Sequence, residues 1–294
     1  MQKIICFLIA VFVFILSACN PDSNEAKPSF SSSLEDISKE LIIPEPKYNA
    51  FKLKKEIEGI IGKSSAKWSV YIEGLNDFVN VEIGGGPVIA ASVIKLFNMV
   101  CLYNEMYTNG LVLSDSDRRK LNLMICESSN TASNDIVTLI GNGDFSEGAK
   151  KVTDFAVSIG CTDTREEHML FDDIAPVKGR NRISAKDCAI LLKKLYNKEL
   201  VSEEYDAEMV DLLKKQTRKY KISAGVPKGT VVANKTGETS RVQHDAGIVF
   251  SPAGDYIICV LVSDYNSEGV IRKISEISKA TYNFFNSETD ISAI

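Results

Sequence analysis

The sequence contains only two histidines and one tryptophan among its 294 residues, and it has no Cys-x-x-Cys pair. Zinc-ligand spacing is therefore missing. No Lys/Arg-rich block occurs, and the net charge of -5 is spread through both halves of the chain. This charge pattern lacks the electrostatic footprint of a nucleic-acid-binding protein. We therefore expect no metal, no cofactor and no nucleic-acid partner.

Two common signatures of enzymes are missing as well. No Gly-x-Ser-x-Gly elbow occurs. A Ser-His-Asp hydrolase would also need His168 or His244 as its base, and His244 is followed by Asp245. We interpret His244 as a structural residue at the start of a strand. The triplet Gly62-Lys63-Ser64 ends like a P-loop, but Ile57 stands where the first glycine is required.

The N-terminus carries an export pattern. Lys3 is followed by the apolar stretch Ile4 to Leu16 and then by two small residues. A membrane-spanning helix needs about 20 apolar residues, so this stretch is too short to span, and residues 1–18 are predicted to be a signal peptide. The run Leu16-Ser-Ala-Cys19 looks like the lipobox of bacterial lipoproteins, which implies lipidation of Cys19. A plain signal peptide with a neighbouring cysteine is the alternative.

The segment after Cys19 differs from the rest of the chain. Residues 20–47 are rich in serine, proline, asparagine and charge, a composition typical of a flexible tether. With the lipidated cysteine, residues 19–47 would anchor the protein to the outer face of the bacterial cytoplasmic membrane. We expect the anchored protein to be a monomer.

Residues 48–294 are predicted to form one globular domain of the α/β (α+β) class. A helix is expected over Tyr48–Ile61, with Phe51 on its buried face, and strands over Lys67–Glu73 and Asp77–Ile83. Helical patterns fill the middle; strands return at Thr230–Ala233, Ala246–Phe250 and Tyr256–Ser263, and a helix closes the chain at Ile271–Phe285. Strands at both ends predict one antiparallel sheet beside a helical subdomain. The remaining cysteines have apolar flanks and are expected to be buried free thiols.

Ser92 and Lys95 stand in the otherwise apolar segment ASVIKLFNMV at residues 91–100. Apolar side chains on all sides predict a buried helix, and positions three apart share one helix face. Burial lowers the pKa of a lysine, so Lys95 would be a base for the Ser92 hydroxyl, with helix N–H groups stabilising an oxyanion. The alternative is a Ser92 helix cap with a Lys95 amine that reaches water. The same spacing in Ser64-Ser-Ala-Lys67 lies in a polar setting.

Two further segments carry polar groups that suit a substrate-binding crevice. Ser128 and Asn130 follow an apolar helical run, and both side chains can point from one turn. Lys235-Thr236-Gly237 follows a β-rich run, where a cation and a hydroxyl suit a carboxylate and glycine permits close approach. Taken singly, these segments also fit a serine-rich loop and an exposed hairpin end.

The order Ser92-x-x-Lys95, Ser128-x-Asn130, Lys235-Thr236-Gly237 resembles that of the penicillin-recognising serine hydrolases, closest to class A β-lactamases and their serine hydrolase relatives. The resemblance covers about residues 48–285. It implies a β-lactamase/transpeptidase-like fold, in which helices flank a five-stranded antiparallel sheet and a helical subdomain is added. It also implies a hydrolase that opens β-lactam amides through an acyl-enzyme, the activity behind antibiotic resistance.

The resemblance assigns a role to each motif residue. Ser92 would be acylated, Lys95 would activate it, and Ser128 would relay a proton to the leaving nitrogen. Asn130 would hold the substrate amide. The remaining assignments are carboxylate binding by Lys235 and Thr236, close substrate approach at Gly237, and an oxyanion hole from the backbone N–H groups of Ser92 and Glu238.

Three departures from the family pattern are visible. Ser129 replaces the usual aspartate, and the interval between Ser92 and Ser128 is shorter than in typical class A enzymes, which predicts a more open cleft. Class A enzymes deacylate with the glutamate of an E-x-x-L-N segment. Glu167-x-x-Leu170 fits that segment better than Glu166 does, but Phe171 replaces its asparagine. Without an oriented base the acyl-enzyme would persist.

Three alternatives to a β-lactamase follow from these departures. A D-Ala-D-Ala carboxypeptidase and a penicillin-binding sensor lipoprotein share the acylation residues and differ only in substrate or turnover. The substrate would be a small β-lactam or a D-Ala-D-Ala peptide. A third alternative is a lipoprotein that keeps the fold as an interaction surface.

Overall fold

The computed structural model of the protein describes residues 49–76, 79–171, 180–264 and 269–287. The predicted signal peptide, Cys19 and the tether lie outside the described residues, as does Asp77 of the predicted hairpin. Within these ranges, no helix combines the length and the apolar character that crossing a membrane requires.

In chain order the strands of the described residues are β1 (Lys67–Gly74), β2 (Asn80–Ile83), β3 (Val88–Ile89), β4 (Arg182–Ile183), β5 (Val231–Glu238), β6 (Val242–Phe250) and β7 (Tyr256–Ser263). Five of them form one antiparallel sheet in the order β2-β1-β7-β6-β5, and β3 pairs with β4 in a separate ribbon. The sheet therefore joins both ends of the domain, as the sequence predicted, and β5 is an edge strand.

Helices cover both faces of the sheet and form the subdomain. In the described ranges they are α1 (Ala50–Ile61), α2 (Lys95–Asn109), α3 (Asp115–Asn122), α4 (Asn130–Ile140), α5 (Phe145–Ser158), α6 (Ala185–Tyr196), α7 (Glu203–Lys214), α8 (Ile222–Gly225) and α9 (Val270–Asn286). A 3₁₀ turn at Ala91–Ile94 leads into α2, and a π-turn at Leu123–Glu127 follows α3.

Strand β7 shows how one sequence serves two cores. Successive side chains of a strand point to opposite faces, so an unbroken apolar run is buried on both sides. Ile258, Val260 and Val262 pack in the core that contains α1 and α9 residues, and Ile257, Cys259 and Leu261 pack in the larger core, which contains residues of α2 and α6. Together the two cores fix the sheet between the terminal helices and the subdomain.

Two details of the predicted fold are wrong. Phe51 is 66% exposed, whereas Leu53 and Ile57 are the buried residues of α1. Strand β5 continues to Glu238, past the predicted end at Ala233, because β6 pairs with it as far as Gln243. Polar residues with weak strand preference thus become part of the sheet through pairing.

The cysteines agree with the prediction. The described part of the chain contains five, all of them free; four are buried and Cys126 is half-buried. Burial raises the pKa of the Cys101 thiol to about 12, so this thiol stays protonated at neutral pH and behaves as a small apolar side chain.

Candidate active site

Ser92 lies on the 3₁₀ turn immediately before α2, and not within the α-helix that the sequence predicts. Lys95 is the first residue of α2. The backbone enters this turn through Ala91, whose φ of 43° is left-handed. The turn leaves the Ser92 side chain partly exposed, whereas Lys95 is completely buried beneath it. The result is a partly exposed hydroxyl with a buried amine behind it.

The amine of Lys95 contacts the two other predicted residues as well as Ser92. Lys95 Nζ lies 3.0 Å from Ser92 Oγ, 2.6 Å from the Ser128 carbonyl oxygen and 2.7 Å from Asn130 Oδ1. Two of these oxygens are carbonyl-type groups that only accept, so they take two amine hydrogens. The remaining direction of the amine faces the hydroxyls of Ser92 and Ser128, the latter at 3.4 Å. A neutral Lys95 can accept a proton from Ser92 in this arrangement.

Ser128 lies between two lysines. It follows the π-turn, with a left-handed φ of 67°, and its hydroxyl accepts a hydrogen bond of 2.9 Å from Lys235 Nζ. Ser129, which replaces the usual aspartate, caps α4 by accepting from Ala132 N at 3.2 Å. A serine is a good N-cap, so this departure from the family pattern leaves Ser128 and Asn130 in place.

Edge strand β5 brings the third motif beside the Ser92 turn. Lys235 is completely buried. Its pKa lies well below the ordinary value for lysine, mainly because burial disfavours the charged form and secondly because Lys95 carries a like charge. The Thr236 hydroxyl is buried and has no hydrogen-bond partner among the described residues, which leaves it available to a ligand. A methyl group at Gly237 would lie 3.0 Å from Val93 Cγ2 and 3.2 Å from Ser92 N. Glycine therefore allows the strand to approach the turn.

The side chain of Glu238 takes part in a charged cluster that the sequence analysis missed. Its carboxylate accepts hydrogen bonds from Arg218 and, at 2.6 Å, from Tyr220, and it lies 3.8 Å from Lys221 Nζ. Burial raises the pKa of Glu238, but the Tyr220 hydrogen bond and the charges of Lys221 and Arg218 outweigh it and lower the pKa below the ordinary value. The run RKYK at 218–221 is the only sequence signal of this cluster.

The two candidate bases, Glu167 and Glu166, occupy opposite environments. Glu167 is exposed. Glu166 is buried, and burial raises its pKa to about 8, although the neighbouring Asn98 and Asn181 amides and the charge of Lys95 act to lower it. Its Oε1 accepts from Asn181 Nδ2 at 2.7 Å, while Oε2 has no hydrogen-bond partner in the described part of the chain.

The segment after Glu167 is held to α4. The Asn134 amide donates to Leu170 O and accepts from Leu170 N, both at 2.8 Å. Asn134 lies one turn after Asn130 on α4, so Leu170 approaches the site from the Asn130 side. Leu170 packs against the larger core, whereas Phe171 is 62% exposed. The apolar pair Leu170-Phe171 thus stands where the E-x-x-L-N pattern would place its last two residues.

The structure gives His244 and Asp245 no catalytic arrangement. His244 lies inside β6, completely buried, with Nε2 donating to Ile89 O at 2.8 Å and Nδ1 accepting from Val262 N at 3.1 Å. Burial lowers its pKa to about 4, so the ring is neutral. Asp245 accepts from Asn234 Nδ2 at 2.8 Å and from Ile222 N at 3.0 Å. Both side chains are structural, as expected for His244, although it is not at the strand start.

Comparisons with known proteins agree with this geometry. A family model described as "Beta-lactamase enzyme family" matches residues 116–285. No curated protein sequence matches the chain. Similar solved structures include a beta-lactamase from Sphaerobacter thermophilus (20% identity, TM-score 0.72, covering 81% of this chain and 98% of that one). PBP-A (23%, 0.71, 82% and 98%) and the TLA-3 extended-spectrum beta-lactamase (20%, 0.72, 81% and 100%) are also similar. At these identities the likeness to solved structures shows the fold alone.

Proposed function

The chain belongs to the beta-lactamase enzyme family, and on that premise we propose that it is a serine β-lactamase-type hydrolase that forms an acyl-enzyme on Ser92. The observation that carries the proposal is the contact of 3.0 Å between Lys95 Nζ and Ser92 Oγ. A serine hydroxyl is a weak nucleophile until an adjacent base takes its proton. Lys95 is the base in contact with it.

Acylation then proceeds through three proton transfers. The Lys95 amine takes the Ser92 proton as Oγ attacks the β-lactam carbonyl carbon, and the backbone N–H groups of Ser92 and Glu238 stabilise the oxyanion. When the carbonyl–nitrogen bond breaks, the Ser128 hydroxyl gives its proton to the nitrogen. Lys95 returns the proton to Ser128 across the 3.4 Å contact. In net terms Ser92 loses one proton, the leaving nitrogen gains one, and Lys95 and Ser128 return to their starting states.

The other motif residues hold the substrate during these steps. Asn130 Oδ1 lies 2.7 Å from Lys95 Nζ, and this contact holds the Asn130 side chain in place. We expect that side chain to bind the substrate amide. Lys235 and the unpartnered hydroxyl of Thr236 supply a cation and a donor for the substrate carboxylate.

We further propose an exported monomer anchored through a lipid on Cys19, with a role in β-lactam resistance.

A second function is favoured by the state of the two candidate bases. Glu167 is exposed, and Glu166, with its pKa raised to about 8, is mostly protonated at neutral pH, so only a minor fraction of it is ready to accept a proton from water. If the acyl-enzyme formed with a β-lactam is hydrolysed slowly, the protein would be a D-Ala-D-Ala carboxypeptidase or a penicillin-binding sensor. PBP-A, a structural neighbour, has been captured in a leucine-to-glutamate variant as an acyl-enzyme complex with penicillin G.

The mass of the intact protein after brief and long exposure to penicillin G tests the proposal. We expect one adduct per chain to form rapidly and to decay. A decay within the assay indicates a β-lactamase, whereas a lasting adduct indicates the second function. If no adduct forms at any time, the acyl-enzyme proposal is wrong.

We expect Glu167→Gln to leave the rate of adduct decay unchanged. The Glu167 side chain is exposed, and of its hydrogen bonds in the described residues only the backbone N–H bond to Asn181 is seen, which the substitution keeps. The decay rate of the adduct, measured by intact mass in both proteins, provides the comparison. A loss of decay in the variant would restore Glu167 as the deacylating base.

A further inference from the structure

The π-turn before Ser128 depends on a segment from a distant part of the sequence. A π-turn spaces its hydrogen bonds by five residues, so carbonyl groups near its end lack regular helical partners. The Ile125 carbonyl accepts from Gln216 Nε2 at 3.0 Å. The Cys126 carbonyl accepts from Thr217 N at 3.1 Å and from Thr217 Oγ1 at 2.9 Å. Residues 216 and 217 therefore take the place of the missing helix.

Gln216 connects this turn with the far side of the site. Its side chain is 1% exposed and uses both ends of its amide: Nε2 binds the π-turn, and Oε1 accepts from Arg218 N at 3.1 Å. Arg218 in turn is paired with Glu238 at the end of β5. We name residues 216–218 the bridge segment, because they join the turn that ends at Ser128 to the strand that carries Lys235.

Ser128 requires such support. A left-handed backbone is unfavourable for a residue that carries a side chain, so the conformation persists only where neighbouring contacts impose it. The Ser128 hydroxyl must stay within reach of Lys235 at 2.9 Å and Lys95 at 3.4 Å to relay a proton. Removing the hydrogen bond to the Ile125 carbonyl frees the turn three residues before it.

We propose that Gln216 is a positioning residue for the proton relay through Ser128. The inference rests on the acyl-enzyme function proposed above and extends it to a residue that none of the motifs contains. Gln216 touches neither substrate nor reacting atoms. It acts by fixing the π-turn, and through it the direction of the Ser128 hydroxyl.

The leaving group of the substrate provides the test. Opening a β-lactam requires protonation of the nitrogen, whereas a thioester releases a thiolate that needs no proton. Gln216→Met keeps the approximate shape and removes both hydrogen bonds. Misplacing a catalytic group by about 1 Å can cost about 100-fold in rate. We therefore expect acylation of Ser92 by penicillin G to slow about 10- to 100-fold and acylation by a thioester acyl donor to slow less than about 3-fold.

Asn286→Leu is the matched control. Asn286 also bonds the backbone through its side chain, donating to Tyr282 O at 2.8 Å, but it does so at the end of α9. We expect this variant to leave both acylation rates unchanged, and thermal unfolding of each variant shows whether it is folded.

Equal slowing with both donors would mean that Gln216 is merely structural, and unchanged penicillin acylation would remove it from the relay; either result overturns the inference. If wild-type protein forms no adduct with either donor, the proposed function fails, and the inference fails with it.

Discussion

Ser92→Ala is expected to abolish the penicillin adduct, an effect larger than that of any other single substitution we propose. Ser92 Oγ is the atom that would carry the acyl group, and alanine offers no nucleophile in its place. Loss of the catalytic nucleophile in other serine hydrolases costs about 10⁶-fold in rate. Intact mass after prolonged exposure to penicillin G should show only unmodified protein, and peptide mapping of the wild type should place the adduct on the peptide that contains Ser92.

Ser64→Ala is the matched control for this experiment, because Ser64 and Lys67 repeat the same spacing. Ser64 Oγ accepts a hydrogen bond of 3.2 Å from Trp68 Nε1, and the Lys67 side chain is 77% exposed and paired with Asp264. The amine is solvated and is no base for the hydroxyl. We expect full adduct formation in this variant. An adduct that survives Ser92→Ala would place the nucleophile elsewhere.

Glu166→Gln is expected to remove a large part of the pH dependence of stability. The carboxyl group has a pKa of about 8 in the folded protein and 4.5 as its ordinary value, because burial disfavours the charged form. Between these two values the folded protein binds a proton that the unfolded chain does not. Stability from this group is therefore complete below pH 4.5, falls as the pH rises, and is lost above about pH 8.

The size of the effect follows from the shift. One pKa unit corresponds to about 1.4 kcal/mol, so raising the pH from below 4.5 to above 8 removes roughly 5 kcal/mol of unfolding free energy. An uncharged amide in the E166Q variant keeps the acceptor for Asn181 Nδ2. Urea unfolding at several pH values should show a steep decline in the wild type and a shallow one in the variant.

Glu167→Gln serves again as the control, since it makes the same substitution at the neighbouring, exposed position. Parallel pH profiles for the wild type and the E166Q variant would contradict the prediction. They would mean that Glu166 is ionised in the folded protein, and its role as a base would then return to consideration.

The contact between Ser92 and Lys95 was predictable, because it depends on spacing within one short segment. The assignment of the buried glutamate was not. Glu166 and Glu167 are neighbours in a non-helical segment, one buried and the other exposed, so a shift of one position in matching the motif exchanges the two. Only the contacts with Asn98 and Asn181 fix that choice.

The bridge segment lay beyond sequence reasoning for a different reason. Gln216 stands 91 positions from Ile125, and no periodicity relates the two. The sheet was easier, since short β-rich runs near both ends of the domain, separated by turn residues, have few ways to pair. The end of β5 was missed because its last five residues are polar and gain their order from β6.

The hydroxyl of Ser128 lies between the amines of Lys95 and Lys235, which affects how the pH dependence of activity is interpreted. Amines this close do not release protons independently, so any inflection in a rate profile belongs to the pair. The charge of Lys95 already contributes to the low pKa of Lys235. A substitution that neutralises position 95 would therefore also make its partner more basic, and the kinetic loss would report two changes in protonation together.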